Sequence, residues 1–301
     1  MNIDDIKRVM ILGSGTMGVQ IGIQSAMHGY KVSIFVRNPA KNDIVWEDIN
    51  KRIGWIVRRE VMNREEADET LKRIYTTNDP ADAAKDADIL SESVPEVPSL
   101  KKELYEKFNK LCPERTIFTT NTSTLLPSLL AESTGRPEKF LALHFNNPVF
   151  ITETVDVMGH PGTSKEILDV SIEFCRNIGL VPIILEKEQP GYIINSLLGG
   201  LMGRALELVA NGVATPHQVD KCWMKNMKIG IGIFGIMDSN GLDVGWEMRE
   251  KYALSSGDKQ AMAIYEYLKT NYIDKGHLGR KTGQGFYKYP NPEYKDPDFL
   301  K

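Results

Sequence analysis

A histidine and an aspartate twelve residues apart are the side chains of this sequence best suited to proton chemistry. His144 follows an apolar run at 140–143, and Asp156 comes twelve residues after it. The run predicts a buried strand, and open α/β sheets carry their chemistry at strand ends. An imidazole takes and returns a proton near neutral pH, and a carboxylate on its other nitrogen fixes the tautomer. The pair predicts a general base with its supporting acid, and the alternative is a structural histidine.

A glycine-rich loop near residue 13 predicts a cofactor for that base. The pattern G-x-G-x-x-G follows the apolar run 9–12, at Gly13, Gly15 and Gly18. The first glycine permits a tight turn, the second lets the backbone approach a pyrophosphate, and the third allows close packing of helix and strand. A helix is predicted over 16–28, so that Thr16 and Met17 begin it and its N–H groups face the phosphates. The alternative is a chance glycine-rich turn.

Composition narrows the function classes further. The 301 residues predict about two domains, and a net charge of −3 argues against a nucleic-acid partner. The longest apolar run, 229–237, is far shorter than the roughly 20 residues of a membrane span. Without a secretion signal before Met10, we expect a cytoplasmic protein without membrane association. The cysteines, Cys112, Cys175 and Cys222, have no metal-binding or disulfide spacing, so no metal is expected.

Two kinds of pattern divide the chain. Up to residue 187, strands and helices alternate, which predicts an α/β fold with a doubly wound parallel sheet. Strands are predicted at 9–12, 31–36, 87–90, 116–119, 140–143, 152–157 and 181–185. A charged stretch, 43–74, has apolar residues at helical spacing and predicts an inserted helical hairpin that turns near Met62-Asn63. We therefore predict a nucleotide-binding domain over 1–187 and an all-helical domain over 188–301, with helices at 192–211, 215–227 and 259–271.

Together these motifs resemble the 3-hydroxyacyl-CoA dehydrogenase family, and the resemblance covers nearly the whole chain. Beyond the glycine loop and the His144 block, it rests on further motifs in the expected order. These are Glu92-Ser93-Val94-Pro95-Glu96, Thr120-Asn121-Thr122-Ser123, Pro190-Gly191-Tyr192-Ile193-Ile194-Asn195, Gly241-Leu242-Asp243 and the run from Gly279 to Tyr287.

The resemblance implies a Rossmann-like domain followed by a helical domain that commonly dimerises. It implies reversible oxidation of an (S)-3-hydroxyacyl thioester to the 3-oxo form, with His144 as the base. It implies that Ser123 and Asn195 hold the substrate oxygen, since a hydroxyl and an amide can donate to it. The alternative for both is local capping of the chain.

The resemblance also implies cofactor-binding residues outside the glycine loop. It places Glu96 and Lys101 near the cofactor, and Asn121 is assigned there with them. Two exposed charges on a solvated face are the alternative for the first pair. The hairpin lies where the family receives the CoA portion, so its cations could meet phosphates or be an ordinary charged surface. Those cations are Arg52, Arg58, Arg59 and Lys72.

Three departures from the family pattern matter. Asp156 stands where the family has glutamate, so the backbone must move inward, a water must bridge, or the dyad is weakened. Phe234-Gly235-Ile236 replaces a Gly-Pro that borders the family's cleft. Val36 replaces the aspartate that receives the ribose hydroxyls of NAD, and Arg37 follows it. A guanidinium can grip a 2′-phosphate, so we expect NAD(P) with a preference for NADP.

We therefore expect an NAD(P)-dependent 3-hydroxyacyl-CoA dehydrogenase of short chains such as 3-hydroxybutyryl-CoA. One alternative is a dehydrogenase of free 3-hydroxy acids of the carnitine or gulonate type. Another is a catalytically weak nucleotide-binding protein with a structural or regulatory role. The predicted helix 192–211 is apolar on several faces, so a homodimer is expected, and a buried helix in a monomer is the alternative.

Overall fold

The computed structural model describes residues 2–301. The chain divides into two compact units, the first ending at Ile193 and the second beginning at Ile194. None of the helices over the described residues is long and apolar enough to cross a membrane.

The first unit is built on an eight-stranded sheet. The strands are β1 (Arg8–Leu12), β2 (Lys31–Phe35), β3 (Ile74–Thr77), β4 (Ile89–Glu92), β5 (Ile117–Thr120), β6 (Phe140–Phe145), β7 (Thr154–Gly159) and β8 (Val181–Leu185). Their order in the sheet is β3-β2-β1-β4-β5-β6-β7-β8. The first six strands thus have the order of dinucleotide-binding folds, with the crevice for a ligand beside β1 and β4. The doubly wound Rossmann-like prediction is confirmed.

The last two strands correct the prediction of a wholly parallel sheet. β7 pairs antiparallel with β6, and β8 is parallel to β7. The physical reason is the short connection between β6 and β7, which holds only the one-turn helix α6 (Val149–Thr152). A parallel return needs a crossover of about a dozen residues or more, whereas antiparallel neighbours need only a turn.

Helices flank the sheet in the first unit. Besides α6, they are α1 (Thr16–Met27), α2 (Asn42–Arg58), α3 (Arg64–Lys72), α4 (Pro80–Ala84), α5 (Pro98–Asn109) and α7 (Lys165–Asn177). Alternate residues of β1 enter different apolar clusters, Ile11 one and Met10 the other, so the strand is buried on both faces.

The predicted hairpin forms as α2 and α3. Asn63 caps the start of α3. Its side-chain oxygen accepts from the backbone amide of Glu66, and the Glu66 carboxylate accepts from the backbone amide of Asn63. The predicted hairpin extended to residue 74, but α3 ends at Lys72 and Ile74 begins β3. The sequence patterns did not indicate this strand.

The second unit is helical, as predicted. It contains α8 (Ile194–Ala210), α9 (Pro216–Met227), α10 (Ile233–Asn240), α11 (Trp246–Ser256) and α12 (Lys259–Asn271). The patterns missed α10 and α11. Asp220 explains α10, because its buried carboxylate accepts the amides of Phe234 and Gly235 at the helix start, at 2.9 and 3.0 Å.

Candidate active site

His144 and Asp156 face each other across neighbouring strands. They are directly opposed in the antiparallel pair β6–β7, which puts both side chains on one face of the sheet. His144 Nδ1 lies 3.0 Å from Asp156 Oδ2, and only 5% and 3% of the two residues are exposed. The shorter aspartate therefore reaches the imidazole directly, without a bridging water. This contact favours a proton on Nδ1 and leaves Nε2 as the acceptor.

Ser123 lies at the other ring nitrogen. Its Oγ is 3.2 Å from His144 Nε2, and it follows β5, the strand beside β6 in the sheet. An oxygen atom within hydrogen-bond distance of both this hydroxyl and Nε2 would meet a hydrogen-bond donor and a proton acceptor at once. The arrangement suits a group that changes between a hydroxyl and a carbonyl.

Tyr192 covers the imidazole, and the sequence reasoning gave it no role. Its ring stacks on His144 with centroids 4.4 Å apart and planes 3° from parallel. Its hydroxyl donates to the carbonyl of Thr122 at 2.8 Å, next to Ser123. Burial, and to a lesser degree the charge of Asp156, raises the pKa of Tyr192, so the hydroxyl keeps its proton as a donor. An aromatic residue after Pro190-Gly191 was the available signal.

The glycine loop has the form that a dinucleotide requires. Gly13 has φ +123°, and a Cβ there would lie 2.6 Å from the carbonyl oxygen of Ser93. A Cβ at Gly18 would lie 1.8 Å from the carbonyl oxygen of Gly13, so helix and loop touch there. A Cβ at Gly15 would meet nothing within 4 Å, which leaves open space in front of the loop. Because α1 has no side-chain cap, its first N–H groups suit a pyrophosphate.

A cavity of about 460 Å³ lies in front of this loop. Thr16, Met17, Arg37 and Lys41 line it together with Gly13 and Gly15. Val36, the residue at the family's acid position, is buried. Arg37, a cation, thus comes directly after the position at which an NAD site has a carboxylate.

Lys101 belongs to a buried network that reaches the surface at Glu96. Lys101 is 1% exposed, and its Nζ lies 3.1 Å from Glu96 Oε2. It also contacts both carboxylate oxygens of Glu92, at 2.8 and 2.9 Å. The alternative of two exposed charges is therefore wrong for Lys101. A direct contact between Lys101 and a cofactor stays a prediction. Glu92 lies at the end of β4 and belongs to one of the family motifs, but the motif predicted no role for it.

Two asparagines were also predicted at the site. The side-chain oxygen of Asn121 accepts from the amide of Phe145 at 2.8 Å, which ties the end of β5 to the end of β6. Asn195 is the second residue of α8, in the second unit. The roles of both in binding stay predictions.

The hairpin cavity, of about 380 Å³, lies between α2 and the segment after β6, which contributes Asn147, Pro148 and Phe150 to its lining. Lys51, Arg52, Arg58 and Trp55 line it. Of the other two cations considered, Arg59 stacks over the Trp55 ring at 4.4 Å, and Lys72 forms an exposed ion pair with Glu69. Asp48 also lines the cavity and pairs with Arg52 at 2.8 Å, so Lys51 and Arg58 are the cations of the lining that are left for a ligand, beside the large Trp55 ring.

Two family models match the chain. The model described as "3-hydroxyacyl-CoA dehydrogenase, NAD binding domain" matches residues 8–189, and "3-hydroxyacyl-CoA dehydrogenase, C-terminal domain" matches residues 191–289. The chain belongs to the 3-hydroxyacyl-CoA dehydrogenase family. The resemblance seen in the motifs is thereby confirmed, as is the prediction of a nicotinamide-dependent oxidoreductase.

Individual members of the family support the match. The mitochondrial hydroxyacyl-coenzyme A dehydrogenase of Rattus norvegicus is 32% identical over 298 residues, covering 94% of this chain and 91% of that protein. The structure of the (S)-3-hydroxybutyryl-CoA dehydrogenase of Ralstonia eutropha is 27% identical, with a TM-score of 0.84 and coverages of 95% and 100%. The structure of a diketoreductase of dicarbonyl compounds is 41% identical, with a TM-score of 0.84 and coverages of 94% and 99%.

Proposed function

We propose that this 3-hydroxyacyl-CoA dehydrogenase homologue interconverts short-chain (S)-3-hydroxyacyl-CoA and 3-oxoacyl-CoA, with His144 as the general base. The main support is that both ring nitrogens of His144 have hydrogen-bond partners, Asp156 at Nδ1 and Ser123 at Nε2. Such an imidazole is fixed in orientation and tautomer before any substrate arrives.

The proton path follows from this geometry. In the oxidative direction His144 Nε2 takes the proton of the substrate's 3-hydroxyl group, and Asp156 stabilises the resulting imidazolium. The bound nicotinamide supplies the acceptor for the hydride that leaves C3. Ser123 donates to the oxygen as it becomes a carbonyl, and Asn195 is proposed as a second donor. In reduction His144 returns the proton.

The hairpin supports a thioester rather than a small free acid. CoA carries phosphates and an adenine ring, which suit the cations and the Trp55 ring around the hairpin cavity. A free 3-hydroxy acid has no group to place there. We expect contacts with the CoA portion, remote from the reacting carbon, to stabilise the transition state and raise kcat/KM for the thioester.

A second candidate is reduction of free dicarbonyl compounds or oxidation of free 3-hydroxy acids. The similarity to the diketoreductase favours it, because the identity of 41% extends over 94% of this chain. Phe234-Gly235-Ile236, in place of the family's Gly-Pro, also favours an altered acyl site.

A substrate panel separates the two candidates. We expect acetoacetyl-CoA to be reduced with a kcat/KM at least about 100-fold above that for acetoacetate or an uncharged diketone. Arg58→Ala should lower kcat/KM for the thioester and leave the small substrates unchanged, with exposed Lys72→Ala as the matched control. Equal kcat/KM for thioester and free acid would exclude a CoA-specific enzyme and favour the second candidate.

A preference for NADP(H) is a finer proposal. Arg37 and Lys41 line the same cavity as the glycine loop, and Val36 offers no carboxylate to repel a 2′-phosphate. We expect kcat/KM to be higher with NADPH than with NADH, and Arg37→Ala to lower the NADPH value by roughly tenfold. An NADH preference in the parent that Arg37→Ala does not change would remove the proposal.

A homodimer is proposed from α8 and the residue before it. Ile193, Ile194 and Leu197 are exposed, Leu197 by 66%. An apolar helix face of this kind favours burial against a second copy. Light scattering at micromolar concentration should give twice the monomer mass, and a monomeric mass would contradict the proposal. A cytoplasmic location also stays a prediction.

A further inference from the structure

A chain of three charged side chains lies behind Ser123. Glu92 is 0% exposed and Lys101 1% exposed, whereas the side chain of Glu96 is 37% exposed at the edge of the site. Lys101 Nζ joins the two carboxylates, at 2.8 Å from Glu92 Oε1 and 3.1 Å from Glu96 Oε2. The family resemblance suggested a cofactor role for Glu96 and Lys101, and it gave Glu92 none.

Three carboxylate oxygens surround the ammonium group of Lys101. An ammonium group has three donors, and three carboxylate oxygens lie within 3.1 Å of it: two on Glu92 and one on Glu96. A buried charge of this kind is stable only while it is paired. Lys101 therefore acts on the site through Glu96.

Glu96 in turn holds the segment that carries Ser123. Its Oε1 accepts the amides of Ser123 and Thr124 at 3.1 and 3.2 Å, and the Thr124 hydroxyl at 3.0 Å. The hydroxyl of Thr122 donates to the same oxygen. One oxygen thus faces the Ser123 segment while the other faces Lys101. Burial alone would raise the pKa of Glu96, but the Thr122 bond and the Lys101 charge outweigh it and hold this pKa below its usual value.

Glu92 anchors the other end. It accepts the amide of Val94 at 2.7 Å and the hydroxyl of Thr120 at 2.7 Å, so it is fixed to the ends of β4 and β5. A rigid buried carboxylate fixes Lys101, and Lys101 fixes Glu96. A misplacement of about 1 Å in such a support can cost on the order of 10²-fold in rate.

We propose that Glu92 is a positioning residue, which acts through Lys101 and Glu96 to hold the Ser123 hydroxyl against His144. The inference rests on the proposed function in assigning Ser123 to the substrate oxygen. It predicts that the Glu92–Lys101–Glu96 chain matters for kcat only while Ser123 is present.

The test is a double-mutant cycle between Glu92→Gln and Ser123→Ala, run with the carbonyl substrate that the parent reduces fastest. In the parent, Glu92→Gln should lower kcat by roughly tenfold to 100-fold. In the Ser123→Ala background it should lower kcat by less than about threefold, because the group it positions is gone. The dissociation constant of the cofactor, from fluorescence titration without substrate, should change by less than about threefold.

Asp88→Asn is the matched control. Asp88 precedes the same strand β4 at its other end, is buried, and pairs with Arg115 at 2.8 Å. Its replacement also breaks an ion pair of a buried carboxylate, but it should leave kcat unchanged. If Glu92→Gln does not fold, Glu92→Asp, which keeps the charge but withdraws the carboxylate by one methylene, replaces it in the same cycle.

Equal losses in both backgrounds would overturn the proposal, as would weaker cofactor binding with an unchanged kcat. Amide exchange gives a reading independent of turnover. The amides of Ser123 and Thr124 should exchange roughly tenfold faster in Glu92→Gln and at the parent rate in Asp88→Asn. An enzyme inactive on every substrate would refute the proposed function, and unchanged exchange would refute the positioning role.

Discussion

The two units of the molecule use buried carboxylates in different ways. In the first unit Asp156 has an imidazole partner, and Glu92 and Glu96 share Lys101. In the second unit Asp220 and Asp238 are as buried as Glu92, but they are held by amides and tyrosine hydroxyls. Over residues 2–301 no lysine or arginine forms an ion pair with either of those two.

The difference is visible in protonation. Lys101 and the Thr122 bond overcome the effect of burial and keep the pKa of Glu96 low, so its charge persists at the site. Burial raises the pKa of Asp220 and of Asp238, only partly offset by bonds from amides and tyrosines. Charge is thus retained where we propose chemistry, while the second unit uses its acids to join α9, α10 and the 286–289 segment.

Replacing one buried aspartate by asparagine in each unit should give the largest difference between an effect on stability and an effect on kcat. Asp238→Asn places an NH₂ group against the amides of Phe286 or Tyr287, and it should cost about 2–4 kcal/mol of unfolding free energy. Activity per folded molecule should stay within about threefold of the parent. Asp156→Asn should keep most of the stability and lower kcat by on the order of tenfold to 100-fold. Denaturant titration and the measurement of kcat check both variants. A loss of kcat in Asp238→Asn together with a loss of stability in Asp156→Asn would contradict the comparison.

Stability should respond to pH with opposite signs in the two clusters. Asp220 and Asp238 have raised folded-state pKa values, so their contribution is complete below their ordinary pKa and is lost as pH rises through the raised values. Glu96, with a lowered pKa, contributes above its ordinary value and loses that contribution as pH falls.

Calorimetry from about pH 3 to pH 7 checks these signs, because the range must extend below the ordinary pKa values of aspartate and glutamate. Asp220→Asn should remove part of the fall in stability with rising pH, whereas Glu96→Gln should remove part of the loss on acidification. An unchanged pH profile in Asp220→Asn would contradict the account of the second cluster.

Removing one tyrosine hydroxyl in each unit should give the smallest difference between the effects on kcat and on stability. Tyr192→Phe keeps the stack on His144 but removes the bond to the carbonyl of Thr122, and it should lower kcat by about threefold. Tyr287→Phe removes a 2.8 Å bond to Asp220 and should cost about 1 kcal/mol of stability with kcat unchanged. If kcat falls equally in both variants, the division between the units fails.

The sequence predicted best what local patterns encode. The glycine loop, the strand ends at His144 and Ser123, and the helical second unit came from motifs and periodicity. The reversed direction of β7 was not predicted, although the short connection between the predicted strands 140–143 and 152–157 was a signal for it.

Long-range contacts account for the remaining differences. α10 has glycine in its sequence and depends on Asp220 from another helix for its start, so tertiary contact overrides a weak propensity. β3 is short and rich in threonine, and it forms by pairing with β2. The pairing of Lys101 with Glu92 joins side chains nine residues apart through burial, which periodicity does not reveal.

The central claim is that His144 is the base, and hydride transfer in a single turnover of His144→Gln tests it most directly. With saturating cofactor and acetoacetyl-CoA, the rate should fall by on the order of 10² or more, with unchanged cofactor affinity. Asp156→Glu, measured beside it, shows whether the shorter acid limits the parent. A His144→Gln rate within about threefold of the parent would contradict the account.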